Sequence, residues 1–154
     1  MKLGISLFII IGLATCNSLK LEKNPVFKII GGTYNNWVGG QPGISGIRMV
    51  IEYESAKKID FKGIYFSNKY TKAELKQEKN KMYVVAHFDT STRQSNDRIL
   101  DRDPKKEMNN KLPDIHIPPF EIKENEAIIF YMEGTKKKYV KVSNLKKTDT
   151  VFFP

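Results

Sequence analysis

The sequence predicts an all-β protein, a small antiparallel β-sandwich of immunoglobulin-like architecture, with an open β-barrel as the alternative. Three observations carry this expectation. Apolar residues alternate with polar ones over several short runs, the two-residue period of half-buried strands. Gly, Pro or Asn stands at the breaks between those runs. The one segment of helix-forming composition, "TKAELKQEKNK" at 71–81, has too few apolar positions to define a buried helical face. "Immunoglobulin-like" is meant of architecture alone, because a chain with a single cysteine has no pair to bridge two sheets.

In chain order, "GIRMVIEYES" at 46–55 places Ile47, Met49, Ile51 and Tyr53 on one face and charged residues on the other. "SAKK" at 55–58 suits a hairpin loop, and "KIDFKGIYFSN" at 58–68 continues as a strand with a bulge at Gly63. The 71–81 segment can be read as an edge strand turning through "EKNK" into "KMYVVAHF" at 81–88. There Met82, Val84, Ala86 and Phe88 face one side and Tyr83, Val85 and His87 the other. Two apolar faces mark a central strand. "EAIIFYMEGTKKKYVKVSNL" at 126–145 reads as a hairpin around Gly134, and "TVFFP" at 150–154 as a last short strand. Two long stretches read as irregular: 31–46, with six glycines and the only Trp, and 89–120, polar and proline-punctuated with a short strand at "DRIL".

At 154 residues the chain fits one domain, and 40% apolar with 11% aromatic residues allows a packed core. Lys and Arg number 26 against 17 acids, a formal charge of +9, so anionic partners come into consideration. The excess is mostly Lys, which suits base-edge and forked phosphate contacts less well than Arg, and no nucleic-acid partner is expected.

The N-terminus carries an address. Met1 and Lys2 are followed by the apolar run "LGISLFIIIGL" and then by small residues, the layout of a secretory signal. The run is too short to span a bilayer, which takes about 20 apolar residues. Its exit, Leu13-Ala14-Thr15-Cys16, resembles the lipobox of bacterial lipoprotein precursors, with Thr15 standing where Gly, Ala or Ser is commonest. The resemblance covers the signal and these four positions. It implies that residues 1–15 are removed, that Cys16 becomes the lipid-modified first residue, carrying diacylglycerol and a further acyl chain such as palmitate, and that the protein is held in the cell envelope, at the outer rather than the inner membrane. Two or more chains anchor stably where one does not. Residues 16–25 then read as a polar tether and 26–154 as a single β domain. The richness in Lys, Asn and Ile is similar to that of the small cell-envelope lipoproteins of Bacteroidota.

Three groups of residues were weighed as sites. Tyr34, Asn36, Trp37 and Gln41, in the glycine-rich stretch, combine flat aromatic faces with amides, as glycan or peptide recognition uses; the plain alternative is that Trp37 plugs the sandwich end. Lys137, Tyr139 and Lys141 share one face of the lysine-rich hairpin and are candidate contacts for an anionic partner. The acids Asp97, Asp101, Asp103 and Glu107 alternate with Arg and Lys, lack the spacing of a calcium loop and read as surface ion pairs. His87 and His116 stand alone, so no metal and no cofactor is expected. No serine sits in a nucleophile elbow and Cys16 is committed to the anchor, so the chain is read as a non-enzyme. The functional expectation is a membrane-anchored envelope lipoprotein serving as a non-catalytic binding or assembly module for an envelope protein or anionic glycan. The alternative is a small envelope hydrolase or inhibitor using 89–120.

Overall fold

The computed structural model describes residues 19–92 and 117–154. Among them the strands are β1 Lys28–Val38, β2 Ser45–Glu54, β3 Asp60–Phe66, β4 Lys69–Lys72, β5 Glu74–Glu78, β6 Lys81–Asp89, β7 Ala127–Glu133, β8 Lys136–Val142, β9 Lys146–Lys147 and β10 Val151–Phe152. Cys16, the signal, the expected strand at 97–100, the acids from Asp97 to Glu107 and His116 lie outside the described residues.

The strands form two sheets, neither closed into a barrel, and the protein is an all-β sandwich. A six-stranded sheet has the order β10-β1-β2-β6-β5, with β9 also paired to β1; a four-stranded sheet has the order β4-β3-β7-β8. Pairing is antiparallel except where β9 and β10 run parallel to β1. The alternation read in 46–55 and 81–88 sets the inner faces: Met49, Ile51, Val84 and Ala86 are fully buried between the sheets. Met49, Ile51 and Val84 each contribute about 1.5–3 kcal/mol by leaving water. The strand β6 lies between β2 and β5, as its two apolar faces imply. The bulge at Gly63 is present, as a register shift between Phe61 and Gly63 against β7.

Tight turns fix the register. Ser67 and Asn68 between β3 and β4, and Lys79 and Asn80 between β5 and β6, all have positive φ, the backbone that twists with a two-residue hairpin. Gly134, at φ 60°, opens the β7–β8 turn, where a glycine takes the left-handed conformation without a Cβ penalty. The 71–81 segment is not helical: it holds the end of β4, all of β5 and the turn at 79–80, and at Ala73 the chain passes from the four-stranded sheet to the six-stranded one.

Three sequence expectations are corrected. The 55–58 link is not a hairpin loop: β2 and β3 belong to different sheets, and Ile59 and Phe61 carry the chain straight across the core. The 31–46 stretch is not a long loop: β1 runs through Val38, paired continuously with β2 from Tyr34↔Met49 to Val38↔Ser45, and only 39–44 is irregular. Ladder pairing outweighs the weak strand preference of glycine there. The tether is not wholly separate from the fold: Leu21 bridges Tyr139 in parallel, and the Glu22 amide donates to the Tyr139 carbonyl at 2.7 Å.

The sandwich has two distinct ends. At the first lie the 55–59 link and the turns at 79–80 and 134–135, tied by edge-on contacts of Phe27 with Tyr131 at 5.1 Å and Tyr53 with Phe61 at 4.9 Å. At the second lie loops 39–44, 67–68 and 143–145 and strand β10, tied by Tyr34 against Phe66 at 4.8 Å and Phe66 against Phe88 at 5.9 Å.

Candidate binding surfaces

The four residues of the glycine-rich stretch do not converge. Tyr34 and Trp37 are three positions apart on one strand and therefore face opposite sides of the sheet. Tyr34 points inward, 7% exposed, with its hydroxyl bonded to Asn125 Oδ1 at 3.2 Å; it is a core residue. Asn36 shares that inner side at the strand's end, opposite Ile47, while Gln41 is exposed in the 39–44 loop. Of the three that lie on β1, Trp37 alone is on the outer face. Its indole rests on Gly46 of the neighbouring strand, where an added Cβ would sit 2.5 Å from the ring, so the glycine is what lets the ring lie flat.

Trp37 opens an apolar surface that sequence reading missed. The strand β10 pairs Val151 with Trp37 and Val38 with Phe152, and the Phe153 amide donates to the Val38 carbonyl at 2.9 Å. Phe153 meets Trp37 edge-on at 6.2 Å. Phe152 is 74% exposed, Phe153 54%, and Val151 and Val38 are also exposed. Val151 and Phe153 share the outer face with the half-buried Trp37, while Val38 and Phe152, at the alternate positions, point to the opposite side, so large apolar side chains lie in water on both faces of an edge that has no outer neighbour among the described residues. "TVFFP" was legible as a strand; its parallel docking beside Trp37 was not, because parallel pairing leaves no hairpin signal.

The lysine hairpin is partly spent within the fold. Tyr139 is buried, stacked on Phe130 at 5.2 Å and capped edge-on by Phe120 at 5.5 Å. Lys141 pairs with Glu126 at 2.9 Å, and that contact holds the Glu126 carboxyl below the usual range. Lys138 is paired with Glu22, and the two shift in opposite directions, Glu22 down and Lys138 up, chiefly through their hydrogen bond. Of the three hairpin candidates, only Lys137 remains exposed without an ion-pair partner among the described residues.

Tyr139 belongs to an aromatic outer layer on the four-stranded sheet. Tyr70 lies over Gly63 and against Tyr65 at 4.8 Å, and Phe130 and Phe120 complete the layer. Burial pushes the Tyr65 and Tyr70 hydroxyls up. Ile128, fully buried beneath this layer, shows that the face is a second small core rather than an open groove. His87 is exposed on the outer side of β6, and no group of three metal-ligating side chains occurs among the described residues. No family model, no curated protein and no solved structure matches the chain.

Proposed function

We infer that the chain is a lipid-anchored protein of the bacterial envelope that works by binding another envelope protein, not by catalysis. The lipobox-like Leu13-Ala14-Thr15-Cys16 supports the anchor. The observation that carries the binding role is the exposed apolar strand edge, with Trp37, Val151 and Phe153 on its outer face and Val38 and Phe152 on the opposite side. Exposed contiguous apolar side chains around an aromatic anchor are the composition of protein interfaces, where Trp and Phe are enriched at the desolvated centre. The β10 edge adds main-chain donors and acceptors that an extended partner strand can pair. A protein partner fits better than a glycan, because the Asn36 amide that would grip sugar hydroxyls does not share the Trp37 face.

The test is in-cell photo-crosslinking from position 152 in the producing bacterium, with position 57 at the other end as control. A discrete protein adduct from 152 that Trp37→Ala removes, and that position 57 does not give, supports the reading. Adducts confined to lipid or polysaccharide, or identical from both positions, contradict it.

A further inference from the structure

The exposed lysines are not spread evenly over the two ends. At the first end, Lys57 and Lys58 stand in the β2–β3 link, Lys79 in the β5–β6 turn, and Lys136 and Lys137 at the start of β8, all exposed. Lys20, Lys23 and Lys28 of the incoming chain are exposed as well. None of these has an ion-pair partner among the described residues. The acids nearby are largely committed: Glu22 and Glu133 to Lys138, and Asp60 to Lys62, which leaves Glu54 and Glu78. Among the described residues at the second end, loop 39–44 "GGQPGI", turn 67–68 "SN", 90–92 "TST" and 143–145 "SNL" carry no charge, and the segment that enters β7 there has three acids, Glu121, Glu124 and Glu126, to one lysine, Lys123.

The direction of the incoming chain coincides with this polarity. Leu21 runs parallel to β8 beside Tyr139, so going backwards from Leu21 the chain heads toward Lys137 and the basic end. Leu19 is three residue steps from Cys16, a reach of at most about 11 Å. The strand β1, by contrast, spans the sandwich from Lys28 to Val38, on the order of 35 Å. An acyl chain on Cys16 thus brings a bilayer to the lysine end and keeps Trp37 and β10 away from it.

The geometry points to the lysine end of the sandwich as a docking surface for anionic lipid headgroups, which holds the domain upright on its membrane with the Trp37 end outward. This rests on the lipid-anchor reading above. Lysine suits the role: a hydrated point charge on a flexible stem follows a fluid charged surface without fixed geometry. Each lysine near such a surface strengthens binding about fivefold, and the effect fades within a Debye length.

The experiment uses the full chain, processed in a bacterial host and reconstituted into vesicles of phosphatidylcholine alone or mixed with phosphatidylglycerol. Mass spectrometry scores the fatty acid on Cys16 first. An amine-reactive reagent then reports the labelling rate of each lysine. Lys57, Lys58, Lys79, Lys136 and Lys137 are expected to react about fivefold or more slowly on the anionic vesicles. Lys69, Lys146 and Lys147 should react equally on both. High salt, or Lys57→Glu, Lys58→Glu, Lys136→Glu and Lys137→Glu together, should remove the difference; all four are exposed and spare the core. Equal rates at the basic end on both vesicles, in chains that carry fatty acid, overturn the docking and leave the anchor standing. Absence of fatty acid overturns the anchor and the docking with it. Equal protection by a soluble anionic polysaccharide without vesicles overturns the assignment to lipid.

Discussion

At the scale of residues, Tyr34 and Trp37 show how three positions along a strand separate a core aromatic from one on the outer face. Tyr34 fills the core against Phe66 and anchors its hydroxyl on Asn125. Tyr34→Ala is expected to cost about 3–5 kcal/mol by analogy with other large-to-small aromatic substitutions, and Tyr34→Phe about 0.5–1.5 kcal/mol for the lost hydrogen bond, both read by urea unfolding. Trp37→Ala should cost less than Tyr34→Ala, because the indole lies on an outer face and is only half-buried. A Trp37→Ala loss as large as that of Tyr34→Ala would make Trp37 a core plug. Both aromatics were visible in the sequence, but their opposite facing depended on knowing that 31–38 is strand. Six glycines in 31–46 concealed that. Gly46 explains one of them: Gly46→Val should displace the indole and shift Trp37 emission to longer wavelength.

At the scale of elements, the incoming segment is held to β8 by the Leu21 bridge and by Glu22 against Lys138. The depressed Glu22 carboxyl contributes fully above the ordinary glutamate value of roughly 4.3 and is lost as pH falls through its lower folded value. The raised Lys138 contributes fully below the ordinary lysine value of roughly 10.4 and is lost as pH rises through its higher folded value. The strap is therefore secure across neutral pH and loosens at both extremes. Carbon-detected NMR of the Glu22 carboxyl should give a midpoint below that of exposed glutamates, and Lys138→Met should return it to the ordinary range. A midpoint indifferent to Lys138→Met would mean that the pair does not hold the segment. No periodicity in 17–25 announced this contact, since one bridge and one ion pair leave no repeat to detect. Strands with strict alternation, β2 and β6, were legible almost residue by residue. The β2–β3 link was misread because four polar residues serve equally in a hairpin and in a crossing between sheets.

At the scale of the whole molecule, the two sheets share one aromatic core. Phe61 touches Phe27 at 5.0 Å, Tyr53 at 4.9 Å and Tyr131 at 6.4 Å, so it couples residues of both sheets. Unfolding should be a single transition, with Trp37 fluorescence and far-ultraviolet circular dichroism coincident in urea, and Phe61→Ala should lower stability by about 3–5 kcal/mol. Separate transitions would split the sandwich into independent halves. Composition and alternation were enough to predict the sandwich. The polarity of its ends was not legible, because it arises from turns far apart in sequence, 55–59, 79–80 and 134–135, that only the topology gathers.

That polarity sets the lysines and the proposed lipid anchor at one end and the proposed binding surface at the other. The sole tryptophan sits at the second end and reports on it directly. In chains that float with vesicles through their own lipid, Trp37 emission should be unaffected when brominated lipids replace ordinary ones, because the indole stands on the order of 30 Å beyond the basic end. Strong quenching of Trp37 by brominated lipid would put the apolar surface in the membrane and contradict the account.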